Sequence, residues 1–120
     1  MSEREPVAFY VEGKPVPKQS YRHSKNGGYT SPRVKAWQEH VAWIAQSEMR
    51  GEPTLTGDLA VSMTFSLHDR RRRDLDNLSK GVLDAMNGIV FDDDRQVVDL
   101  HLRKQYSKEH PGVFVKVKQT

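Results

Sequence analysis

The sequence predicts an α+β fold: a two-layer sandwich with a mixed or antiparallel sheet and two helices on one face. Two observations point there. Four segments alternate apolar and polar residues, and two others repeat apolar residues at helical spacing. Their order is strand, loop, helix, strand, helix, strand, strand, which leaves both helices to cover a single face of the sheet.

Val7, Phe9 and Val11 alternate with Ala8, Tyr10 and Glu12 as a first strand. Gly13-Lys-Pro-Val-Pro-Lys18 cannot continue it inside a sheet, because its two prolines lack backbone donors. With Asn26, Gly27 and Gly28 beyond, positions 13–31 read as a long loop rich in basic and aromatic residues. Ser31-Pro32 then starts a helix, and Val34, Trp37, Val41, Ile44 and Ala45 repeat at its period up to Gly51. A connector over 52–57 leads to the clearest strand, where Leu59, Val61, Met63, Phe65 and Leu67 alternate with small polar residues. Leu75, Leu78, Val82, Ala85, Met86 and Ile89 predict an amphipathic helix over roughly Asp76 to Asn87, stopped at Gly88. Val98, Leu100 and Leu102 mark a third strand. A turn over 109–112 leads to the closing strand of Val113, Val115 and Val117.

At 120 residues, without internal repeats, the chain reads as one domain over positions 1–120. No apolar run approaches the roughly 18–20 residues that span a bilayer. The first residues lack the basic-then-apolar order of a signal peptide. There are no cysteines, which excludes disulfides and thiolate metal sites. These features predict a cytoplasmic protein with no membrane contact.

Formal net charge is +3, and its distribution matters more than its size. Lys14, Lys18, Arg22, His23 and Lys25 form one basic stretch, and Arg70, Arg71, Arg72 and Arg73 another. Clustered basic charge is the footprint of a nucleic-acid binder. The arginine run leads directly into Asp74, Asp76, Asn77 and Lys80, and Asp92, Asp93 and Asp94 follow one helix later, where a short connector after Gly88 is expected to bring them back toward Asp74. Asp74 and Asp76 are two residues apart, and Lys80 shares a helix face with Asp76. Either aspartate alone reads equally well as a helix N-cap. Together with Lys80 they read as a metal and phosphate site, because converging carboxylates repel unless a cation neutralises them. The five histidines have no metal-binding spacing, and no phosphate loop or nucleophile elbow is present.

The segment Asp74-Leu-Asp-Asn-Leu-x-Lys80-x-x-x-Asp84-Ala, with Asp93-Asp94-x-Gln96-Val-Val downstream, resembles the RusA family of Holliday junction resolvases. The likeness is dense from about Arg70 to Lys104 and weaker at Gly13-x-Pro-x-Pro-Lys18. It implies a homodimer that nicks opposing strands of four-way junction DNA in recombination and repair, with Mg²⁺ or Mn²⁺. It also implies catalytic roles for Asp74, Asp76, Lys80 and Asp94, with Asp74, Asp76 and Asp94 as the metal ligands. Three aspartates precede Arg95 where relatives often have two. The anchor Gln96-Val97-Val98 selects Asp94 as the ligand and Asp93 as its neighbour. Lys18, Arg22 and Arg70 to Arg73 are the expected DNA contacts. The competing reading is a non-catalytic nucleic-acid-binding domain, which leaves the aspartates without a role.

Overall fold

A computed structural model of the chain describes residues 4–18 and 31–120. The two ends of the chain pair with each other. Strand β1 (Val7–Glu12) runs antiparallel to β4 (Gly112–Gln119), with Val7 opposite Val117 and Val11 opposite Val113. β4 also lies antiparallel to β2 (Leu59–Leu67), with Phe65 opposite Val113. β2 runs parallel to β3 (Val97–Tyr106), with Val61 opposite Leu100. The sheet is therefore mixed, in the order β1-β4-β2-β3.

Helix α1 (Pro32–Met49) begins where Ser31 Oγ accepts a hydrogen bond from the Val34 N–H at 3.2 Å. Proline at its first position has no amide to leave unsatisfied. The helix ends at Arg50, whose φ of 52° reverses the chain. Val34, Trp37, Val41, Ala45 and Met49 are its buried stripe. Ile44 sits at the margin of the core, and Trp43 points to solvent. Helix α2 (Leu75–Met86) buries Leu78, Val82, Ala85 and Met86, as its periodicity predicts. Both stripes join one cluster with the inward residues of β1, β2 and β4, around Phe65, Met63 and Phe91. Tyr10, Phe114, Lys116 and Lys118 project from the other face and are exposed, so both helices lie on one side. No helix among the described residues is long and apolar enough to cross a membrane.

Two features position the functional residues. The parallel pair β2–β3 is joined by α2, so residues just before α2 and residues just after it lie at opposite ends of the sheet. In addition, β3 is an edge strand with no fully buried residue, and Val98 (58% exposed), Leu100 and Tyr106 are open to solvent.

Gly112 shows how closely the sheet is packed. A Cβ there would lie 2.3 Å from Tyr10 Oη and 2.5 Å from the Val11 carbonyl oxygen. Tyr10 is held across it by hydrogen bonds from its hydroxyl to the His110 and Pro111 carbonyls, each 3.2 Å. Gly112→Ala must push β1 from β4 and is expected to lower stability by about 2 kcal/mol, read by urea unfolding. An unchanged midpoint would mean that the β1–β4 contact yields freely.

Candidate active site at the start of the second helix

β2 ends at Leu67, and the next seven residues carry the charge run into α2. Asp69 organises the turn. Its carboxylate accepts from Arg73 Nη2 at 2.6 Å and from the Arg71 backbone N–H at 3.1 Å. The Arg73 hydrogen bond, with help from the Arg71 amide, holds the Asp69 carboxyl below its usual range. Arg73 also donates to the carbonyls of Asp69 and Arg71, and its side chain is only 10% exposed. Lys104 on β3 donates to the Arg73 carbonyl at 3.1 Å, tying the turn to the edge strand. The guanidinium of Arg70 stacks on the Tyr106 ring at 4.1 Å.

The arginine run thus divides. Arg73 is packed against the fold and Arg70, though exposed, is engaged by Tyr106, whereas Arg71 and Arg72 are 87% and 91% exposed. Lys18 is held as well: its ammonium pairs with Asp84 on α2, and its backbone N–H donates to the Asn77 carbonyl at 2.9 Å. Arg22, the remaining expected DNA contact, lies outside the described residues.

Asp74 occupies the N-cap position of α2, where its carbonyl accepts the first helical bond, from Leu78 N–H at 3.0 Å. Its carboxylate makes no capping bond and turns instead to Arg72 Nε at 3.4 Å. The N-cap alternative therefore does not account for this side chain. Asp76, one turn before Lys80, lies 3.4 Å from its ammonium and is exposed. Two carboxylates, a lysine and the first amides of a helix thus share one end of α2.

Asp94 is elsewhere. It opens the 3₁₀ turn Asp94–Gln96 at the start of β3, beside the beginning of β2. With the length of α2 and β2 between them, Asp74 and Asp94 of one chain stand on the order of 20 Å apart or more. Among the described residues, no three His, Cys, Asp or Glu side chains are placed to hold a metal ion. The expectation that a short connector returns Asp92, Asp93 and Asp94 toward Asp74 is corrected here, because a helical crossover to a parallel strand separates them.

The three aspartates differ in their partners. Asp92 accepts from Thr54 Oγ1 at 2.9 Å. Asp93 caps the 3₁₀ turn, accepting from the Arg95 N–H at 2.9 Å, and that bond lowers its pKa. Asp94 takes no part in the cap. Gln96 fixes the whole turn. Its Oε1 accepts from the amides of Asp92 and Asp93, and its Nε2 donates to the carbonyls of Leu55 and Gly57. Sequence reasoning used Gln96 only to set register and overlooked Asp69, although Asp69 stands directly before a run of four cations.

The family described as Endodeoxyribonuclease RusA matches residues 12–118. The crossover junction endodeoxyribonuclease RusA of Aquifex aeolicus is 30% identical, over 98% of this chain and 95% of its own length. The protein of that name from Escherichia coli K12 is 36% identical over 70% of each chain. The uncharacterized protein YqaN of Bacillus subtilis is 31% identical, over 94% of this chain and 96% of its own. The family match defines the class of protein as a nuclease. The chain belongs to the RusA family of endodeoxyribonucleases.

The two kinds of arginine separate by experiment. Replacing both Arg71 and Arg72 by Ala is expected to flatten the log–log salt dependence of DNA binding, by about one unit of slope for each phosphate no longer neutralised, with stability unchanged. Asp69→Asn is expected to destabilise the fold at neutral pH. Because the folded Asp69 carboxyl sits below its usual range, its contribution is complete above that range and is lost as pH falls through the lowered value. Urea unfolding from neutral to acid pH should therefore show a smaller acid-driven loss in Asp69→Asn. Equal losses would remove Asp69 from its organising role.

Proposed function

We propose that the chain is a structure-selective endodeoxyribonuclease that resolves four-way DNA junctions by paired, symmetric nicks, as a homodimer using Mg²⁺ or Mn²⁺. The observation that carries this reading is the uncapped Asp74 carboxylate beside Asp76 and Lys80, next to the exposed Arg71 and Arg72. The names of the Aquifex and Escherichia coli relatives support the junction as substrate.

Asp74 and Asp76 are both exposed, which suits a hard cation bound through one or two carboxylates while sharing phosphate oxygens. Bound there, the ion supplies an activated water and a polarised phosphate. Lys80 stands one turn along the same face, where its ammonium stabilises charge developing on the phosphoryl oxygens. The amides at the start of α2, unclaimed by Asp74, favour an anion at the same place. Arg71 and Arg72 grip flanking phosphates, which position the DNA without reading its bases.

Asp94 fits this site only from a second copy of the chain. A ten-residue edge strand with an exposed apolar stripe invites pairing unless it is covered. Two β3 strands related by a two-fold axis pair antiparallel. With the axis at His101, Leu100 faces Leu102 of the second copy, and Asp99 faces its Arg103. Such pairing brings the start of one β3, with Asp94, toward the end of the other, where Lys104 and Tyr106 touch the arginine turn. A homodimer also supplies the two sites that a two-fold junction requires.

The test is cleavage of a labelled four-way junction and of matched linear duplex, each with Mg²⁺ and with EDTA. Metal-dependent paired nicks in the junction alone are expected. Asp74→Asn, Asp76→Asn and Asp94→Asn should each reduce single-turnover nicking about a hundredfold or more while junction binding persists in EDTA. Asp93→Asn should lose less, since asparagine still caps the turn. Wild-type rates for Asp74→Asn and Asp76→Asn would overturn the metal site.

A further inference from the structure

Beside the candidate active site, bounded by the arginine turn, lies a cleft of about 320 Å³. Its lining combines Pro15 and Val16 of the segment after β1, the start of α1 at Ser31, and the turn at Arg71 to Arg73. Lys14 and Arg33 line it too, as does His68. Five permanent cations thus line one small space; Asp69 already pairs with Arg73, whereas Lys14 and Arg33 have no carboxylate partner among the described residues. Contiguous like charge is unfavourable unless an anion relieves it. α1 adds to the imbalance, since its first turn holds no acidic residue while Arg33 lies in it. His68 places Nε2 3.1 Å from Asp69 and leaves Nδ1 buried without a partner among the described residues.

We propose that this cleft binds the phosphodiester backbone of one DNA strand, one or two phosphates from the scissile one, with Lys14 and Arg33 as strand-positioning residues. The inference rests on the nuclease reading for its ligand, and it assigns roles that the charge run alone does not. A cleft of about 320 Å³ holds a phosphodiester segment of one backbone, which a duplex or a junction arm can equally present. Position follows from the turn itself: Arg72 lines the cleft and also reaches toward Asp74 at 3.4 Å, so a strand held there continues to the carboxylates. Proline walls keep this side of the cleft short and stiff. Phosphate contacts of this kind fix register on the DNA and carry no sequence preference.

Lys14 and Arg33 are exposed and lie outside the core, so their replacement leaves the fold intact. The experiment compares wild type, Lys14→Ala, Arg33→Ala and the double variant in EDTA, so that binding is read without cleavage. Lys116→Ala/Lys118→Ala, on the opposite face of the sheet, is the control. The double variant is expected to bind junction and duplex roughly tenfold more weakly near 0.1 M salt, with a log–log slope flatter by about 2. Ethylation of one or two phosphates beside the cut should block wild-type binding and matter less to the double variant. An unchanged slope and interference pattern would overturn the proposal, as would an equal loss in the control. If wild type binds but never nicks, while the double variant loses slope and footprint, the nuclease reading fails and the strand site stands.

Discussion

The parallel pairing of β2 with β3 through α2 is the constraint on which the rest of the structure depends. A parallel pair cannot be closed by a tight turn, so the chain must return along the sheet before the second strand starts. That return is α2, and its buried face of Leu78, Val82, Ala85 and Met86 holds it to the core. Everything chemical is then sorted by which side of α2 it falls on in sequence. The arginine turn, Asp74, Asp76 and Lys80 gather at one end, and Asp92, Asp93 and Asp94 at the other. β3 runs between the two ends along the open edge of the sheet, and it is the element through which a second copy can reunite them.

The charges around the site are divided between holding the protein and leaving groups open for a substrate. Asp69 neutralises Arg73 and shapes the turn, and Tyr106 takes Arg70, so two of the four arginines serve the fold. Asp84 pairs with Lys18, whose side chain remains 42% exposed. Gln96 supplies all four hydrogen bonds of its amide to the start of β3, a rigid mount for the neighbouring Asp94. Arg71, Arg72, Lys14 and Arg33 remain exposed toward the space where DNA is proposed to lie.

Much of this was legible in the sequence. The alternation in Leu59–Leu67 and Val113–Val117 gave both central strands. The helical period of Val34 to Ala45 gave α1, and that of Leu75 to Met86 gave α2 to within a residue or two. The density of charge around Asp74 located the candidate site. Side-chain assignments within it were harder, because a sequence does not say which arginine meets Asp69 or whether Asp74 caps its helix. Strand direction was the larger gap. Val98, Leu100 and Leu102 have the same pattern in a parallel or an antiparallel strand, and only the twelve-residue helix before them favours the parallel choice. Taking that preference seriously would have put Asp94 at the far end from Asp74.

The central claim is that each active site takes Asp74 and Asp76 from one chain and Asp94 from another. Its most direct test is to co-express Asp74→Asn chains with Asp94→Asn chains and measure nicking of a labelled junction. In the mixed dimer, one shared site carries both changes and the other carries neither. The account predicts that either variant alone is inactive, while the mixture regains metal-dependent nicking of one strand. A mixture as inactive as its components would contradict it, since every site would then hold one altered ligand from its own chain.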